Sequence, residues 1–172
     1  MSISELMLPS HTNFSGKIHG GYILALLDQI AFACASKYSG FYCVTASVET
    51  VNFLNPIEIG ELVTMKASVN YVGKTSMIIG IRVEAENIQT GVVKHCNSSY
   101  FTMVAKNSNG LSMQVPTLIL SNYEDVRRFY NCIKMIDLKK DNDKHEAEFD
   151  YKNDAALLFL SKFNVKLDIK TI

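Results

Sequence analysis

One acidic side chain interrupts the longest apolar stretch of the chain. Asp28 lies within Tyr22-Ile-Leu-Ala-Leu-Leu-Asp-Gln-Ile-Ala-Phe-Ala-Cys-Ala-Ser-Lys37, a run of strong helix formers. Burying a carboxylate among such neighbours costs several kcal/mol unless it is paired or held at a cavity. An Asp hydrogen-bonded for structure, or one at the wet edge of a helix, is the plain reading. Its company two turns earlier supports a chemical one. His19-Gly20-Gly21 stands where the helix must begin. Two glycines let a carbonyl approach the backbone with no Cβ in the way. First-turn N–H groups have no intrahelical acceptor, and the helix dipole favours negative charge there. Donors fixed where charge develops are what an oxyanion hole requires. Gly-Gly alone also reads as a flexible turn; its position is what makes it informative.

Other candidates are weaker. Asn13, in the loop before the helix, offers an amide that can orient a water or a carbonyl, though an Asx-turn is its commoner role. His19 can contact a substrate, but no Ser or Cys is paired with it in a local motif. Gly73-Lys74-Thr75-Ser76 closes a turn with one cation, two hydroxyls and free amides, enough for a phosphate or pantetheine group and equally a solvated turn. Glu49 is either an exposed strand residue or a second carboxylate near the site. Cys34, Cys43, Cys96 and Cys132 are scattered, with no Cys-x-x-Cys and no His at ligand spacing, so neither a metal site nor a disulfide framework is expected.

These residues need elements to position them. A helix apolar on almost every face must be wrapped by other structure. The wrapper follows in the sequence. Residues 43–54 are rich in β-branched types and end at Asn55-Pro56. Residues 61–71 alternate, with Met65, Ala67, Val69 and Tyr71 on one face, and residues 76–86 do the same with Met77, Ile79, Ile81, Val83 and Ala85. Residues 92–105 form a fourth, less regular strand. Such alternation marks an antiparallel sheet with one buried face. Gly60, Gly73-Lys74 and residues 87–91 read as hairpin or near-hairpin connections. The expected fold is α+β: a curled four-stranded meander around a central apolar helix, the hot-dog arrangement. Residues 1–13 read as an extended lead-in. The expected division is a hot-dog domain over 1–106 and a C-terminal extension over 107–172. Within the extension, 122–136 has the pattern of a capped amphipathic helix, 139–145 that of a linker, and 154–163 that of a second amphipathic segment.

Composition bounds the partners. Seventeen basic and seventeen acidic side chains cancel, so no overall field attracts nucleic acid or an anionic membrane. The N-terminus lacks the pattern of a signal peptide, and no stretch approaches the roughly 20 apolar residues of a membrane span. A cytoplasmic protein is expected.

In order, Leu8-Pro-Ser-His-Thr-Asn13-Phe-Ser-Gly16-Lys-Ile-His-Gly-Gly21, Asp28, Val44-Thr-Ala-Ser-Val-Glu49, Phe53-Leu54 and Gly73-Lys-Thr-Ser-Met77 resemble the acyl-CoA hydrolase family of hot-dog thioesterases. The match runs from about residue 6 to residue 106. The resemblance implies hydrolysis of acyl-CoA to free acid and CoA, without metal or other cofactor. It makes Asp28 the catalytic carboxylate, as general base or nucleophile, and Asn13 an assisting residue from the neighbouring protomer. Gly20-Gly21 would receive the thioester oxygen, and residues Gly73, Lys74, Thr75 and Ser76 would contact CoA. It also implies a homo-oligomer of hot-dog dimers, often a hexamer. His19 precedes the glycine pair at a position that varies in the family. Two rivals use the same fold: a non-catalytic acyl-CoA sensor, for which no output domain or helix-turn-helix is seen, and a hydratase, which would pair a His with an acid.

Overall fold

The computed structural model describes residues 1–148, 153, 158 and 162–165. The chain falls into two units, Met1–Cys132 and Ile133–Ile172. The first contains β1 (Ser2–Leu6), a 3-10 turn at Pro9–His11, α1 (Gly20–Ser39), β2 (Tyr42–Val48), β3 (Asn52–Phe53), β4 (Glu61–Val72), β5 (Ser76–Asn87) and β6 (Val93–Lys106). A last helix, α2 (Tyr123–Glu148), begins in the first unit and continues into the second.

The described strands make one six-stranded antiparallel sheet in the order β1-β4-β5-β6-β2, with β3 beside β6. Alternation does the work the sequence implies. Val63, Met65 and Ala67 of β4, Met77, Ile79, Ile81 and Val83 of β5, and Phe101, Met103 and Ala105 of β6 are buried on one face. Against them α1 lays Ile23, Leu26, Leu27, Ile30, Ala31, Cys34 and Ala35. Each fully buried Leu or Ile contributes about 2 kcal/mol through removal of apolar surface from water. The helix stops at Gly40, whose φ of 75° is the left-handed conformation glycine adopts without strain, and whose N–H bonds Ser36 O at 2.9 Å. A curled sheet around one helix is the hot-dog architecture expected.

The structure corrects several details. Residues 1–13 are not merely extended: β1 pairs with β4, Ser2 opposite Lys66. The run 43–54 is two strands, and both lie against β6, not β4. Gly60 (φ 81°) therefore ends a crossing segment and not a hairpin, its N–H bonding Met7 O at 2.8 Å. Adjacent strands pair by default only when the connection is tight, and here Ile57 buries itself between them. Tyr71 does not share a face with Met65, Ala67 and Val69. A bulge between Val69 and Tyr71 shifts the register by one residue, which sends Tyr71 to the outer face to meet Phe129 of α2, ring centroids 5.3 Å apart. The expected linker 139–145 is helical, part of α2; its Lys and Asp residues contain no Gly or Pro to stop a helix. The segment predicted at 154–163 lies largely outside the described residues.

α1 is not wrapped all round. One flank, carrying Leu24, Ala25, Asp28 and Phe32, is exposed.

Candidate active site

That flank is the candidate site. Asp28 has Leu24 one turn before it and Phe32 one turn after, both exposed, as helical spacing of four requires. β2 runs beside it at the sheet's edge, with Tyr42, Val44 and Val48 exposed along its length. The Phe32 and Tyr42 rings meet edge to face at 5.3 Å. A carboxylate is thus set in an apolar patch that the single protomer leaves open.

Thr45 completes the pair. Its hydroxyl donates to Asp28 Oδ1 at 2.5 Å, and Met103 Sδ, a much weaker acceptor, lies 3.5 Å from the same hydroxyl oxygen. Strand alternation aims it: Thr45, like the buried Cys43 two residues earlier, pairs with a buried residue of β6. Thr45 faces Met103 but Ser47 faces Thr102, so Ala46 is the extra residue and β2 kinks there. The bulge changes the facing of the residues that follow Thr45, not of Thr45 itself. Only one proton sits on the Thr45 hydroxyl, so Oδ1 is occupied and Oδ2 is left to accept from water. Thr45 stands in a β-branched run that gives no signal to single it out; the bulge is not legible in composition.

At the start of α1, His19 is the N-cap, with extended φ −66° and ψ 125°, and its Nδ1 accepts the Gly21 N–H at 2.9 Å. A Cβ on Gly21 would lie 2.8 Å from His19 Cε1, which is why glycine stands there. His19 O accepts from Tyr22 N (3.0 Å) and Ile23 N (3.3 Å). The Gly20 N–H has no partner among the described residues and remains a free donor. The Phe53 ring covers it closely: a Cβ at Gly20 would sit 3.4 Å away. With a rise of about 1.5 Å per residue, Gly20 and Asp28 stand about 12 Å apart along the helix. One carbonyl carbon cannot contact both in the same protomer.

Asn13 builds its own loop. Its Oδ1 accepts from Ser15 N (2.9 Å), Ser15 Oγ (2.7 Å) and Lys17 N (3.2 Å), an Asx-turn arrangement. The amide nitrogen has no partner among the described residues, and no hydrogen bond joins Asn13 to Asp28. The Gly73 to Ser76 turn is tied down by Gly73 N to Ser76 O (2.8 Å), Ala105 N to Thr75 O (3.0 Å) and Val115 N to Lys74 O (3.1 Å), leaving Lys74 exposed. Ser76, Val104 and Val44 lie abreast on β5, β6 and β2. Two strand spacings put the turn's end roughly 10 Å from the Thr45 row. Glu49 lies just past β2, half-buried, accepting from Ser47 Oγ at 3.2 Å. The four cysteines are free and buried. Burial raises the thiols of Cys34 and Cys96, and pushes Cys132 up to about 11, which makes them poor nucleophiles.

Comparison with known proteins places this geometry. Residues 15–92 match the thioesterase superfamily. Protein VdlD of Helicobacter pylori is 40% identical over 137 residues, 80% of this chain and 78% of that protein. YkhA of Bacillus subtilis, described as an uncharacterized acyl-CoA thioester hydrolase, is 29% identical over 139 residues, 81% of each. The crystal structure of an apo-hexameric acyl-CoA thioesterase superposes with a TM-score of 0.77 at 31% identity, covering 87% of this chain and 94% of that one.

Proposed function

The chain belongs to the thioesterase superfamily, and from that membership we propose that it hydrolyses acyl-CoA thioesters to a carboxylic acid and CoA with Asp28 as the acting carboxylate. The observation that carries the assignment is the Thr45–Asp28 hydrogen bond on an exposed apolar flank. It fixes one carboxylate oxygen and leaves the other open on that exposed flank, where a water can be held.

The chemistry needs no metal or other cofactor. Asp28 takes a proton from water as the water oxygen bonds the thioester carbon. The carbonyl electrons move to oxygen, where backbone N–H donors receive the charge. When the tetrahedral centre collapses, the C–S bond breaks and the Asp28 proton passes to the departing sulfur. The donors are the Gly20 N–H and, once His19 lets it go, the Gly21 N–H. Because about 12 Å separates these from Asp28 of the same helix, the working site combines the α1 start of one protomer with Asp28 of another. Asn13, with its spare amide donor, would reach the same centre from the neighbour, and the Gly73 to Ser76 turn would hold part of CoA.

A homodimer follows, sealed by Leu24, Phe32 and Tyr42 around the acid. The similar apo acyl-CoA thioesterase is hexameric, and a hexamer built from such dimers is the assembly proposed for this chain. Among the described residues no helix is long and apolar enough to cross a membrane. A reducing cytoplasm suits its four free thiols.

The test is release of free thiol from a panel of short, medium and long acyl-CoAs by the intact protein. Turnover of at least one chain-length class is expected; binding of acyl-CoA with no thiol release would leave a sensor and end the enzymatic reading.

A further inference from the structure

The face of the sheet turned away from α1 carries a cavity. It measures 430 Å³ and is floored by β4, β5 and β6 and walled by the first turns of α2. That volume lies in the range of small-molecule sites. The bulge in β4 has its purpose here. Asn70 is the unpaired residue of the bulge, only 6% exposed, and lines the cavity. Its Oδ1 accepts from Ser68 Oγ at 2.8 Å, while its Nδ2 has no partner among the described residues. Opposite it stands Gly80, where a Cβ would lie 1.9 Å from Asn70 Nδ2. Only glycine leaves the amide in place, and the Tyr100 ring lies alongside, 3.4 Å from that same Cβ position. The amide of this largely buried residue thus has a donor free at the cavity.

The charge around it has one sign in excess. Lys66, Arg82, Arg127 and Arg128 line the cavity. Glu84 accepts from Lys66 at 2.6 Å and Arg82 at 2.7 Å, and Glu124 from Arg127 at 2.5 Å and Arg128 at 3.1 Å. Two carboxylates shared by four cations leave a local surplus of two positive charges in a chain whose net charge is zero. The cations also hold both carboxyls down to about 2, so neither surrenders its charge at neutral pH. Arg82 spends only its Nε on Glu84, leaving its terminal guanidinium nitrogens available. Converging guanidinium groups, an amide donor and the Ser98 and Tyr100 hydroxyls on one floor match the oxygens of a phosphate group.

We propose that this outer cavity is a second ligand site, distinct from Asp28 and on the opposite face of the sheet, that binds the phosphate groups of a phosphorylated small molecule. Two sources offer that chemistry: a free nucleotide acting as a regulator, or the phosphate end of CoA bound to a neighbouring copy.

The experiment titrates the full-length protein with inorganic pyrophosphate, ADP and CoA by calorimetry. It compares the wild type with Asn70→Asp, which keeps the shape but replaces the donor with an anion, and with the pair Arg82→Gln and Arg127→Gln. At least one probe is expected to bind the wild type and to lose tenfold or more in affinity in both variants, while Asp28→Asn binds it unchanged. Binding of ADP that CoA does not displace assigns the site to a free nucleotide. Displacement by CoA, with a raised KM and unchanged kcat for acyl-CoA in the variants, assigns it to the substrate's own phosphates. Binding that is absent, or equal in wild type and Asn70→Asp, overturns the proposal. So does a change of oligomeric state in the variants with no change in affinity, which would make the face a contact between copies.

Discussion

Thr45 is the residue on which the orientation of the acid depends. Its hydroxyl is the only hydrogen-bond partner that the described residues give Asp28. Replacing it with Val keeps the shape and removes the proton donor, so the carboxylate turns freely. Turnover is expected to slow by about one to two orders of magnitude, part of the roughly 10²–10⁴ that a placed general base supplies. KM and thermal stability should barely change, because Thr45 is exposed in the protomer. Thr45→Ser should recover most of the loss, and steady-state kinetics on the three proteins checks it. Asp28 and the two glycines were legible in the sequence because each breaks a pattern, a charge within an apolar helix and two glycines at its start. Thr45 breaks none. A Thr in a strand is ordinary, and which helix residue it meets depends on how β2 lies beside α1, which no local pattern reveals. The role of His19 was hidden for a related reason: a cap on Gly21 depends on one χ angle, which residue type does not reveal.

At the scale of elements, the outer face of the sheet is organised by ion pairs, and their pH dependence has a definite sign. Glu84 is held at about 2, first by its hydrogen bond from Arg82 and then by that from Lys66. A carboxyl depressed in the folded state stabilises it fully above the unfolded value near 4.5, and that contribution fades as pH falls toward 2. Urea denaturation between pH 5 and pH 2 should therefore show a steeper loss of stability for the wild type than for Glu84→Gln. Equal slopes would mean that the two cations do not hold Glu84 as described. The helix and the three long strands were readable because each keeps one period over most of its length. The edge strands were not. β2 and β6 are far apart in sequence, and nothing local says that β2 crosses to pair there and not beside β4. A bulge likewise changes which side a residue faces without changing its type, as Tyr71 shows.

For the whole molecule, the separation of Gly20 from Asp28 along α1 means that in the proposed mechanism each protomer supplies half a site. Gly20 is the first helical residue, where proline is tolerated, and the extended His19 before it suits one. Gly20→Pro therefore removes the free N–H while keeping the helix start, with the Phe53 ring giving way to the proline ring, and turnover should drop by roughly 10²–10³-fold, as expected for an oxyanion donor. Mixing this variant with Asp28→Asn, then dissociating and reassociating the subunits, forms mixed dimers holding one intact site. Thiol-release assays should show a substantial fraction of wild-type activity return from two inactive parents. No recovery in verified mixed dimers would place both groups in one chain's site and contradict the shared arrangement.

The most direct measurement is turnover by Asp28→Asn on whichever acyl-CoA the wild type hydrolyses fastest, with assembly and CoA affinity measured on the same sample. The amide has the shape of the acid but cannot take a proton from water. Turnover is predicted to fall by roughly a thousandfold or more, with assembly intact and CoA bound as before. Hydrolysis within a few-fold of the wild type would show that another group activates the water.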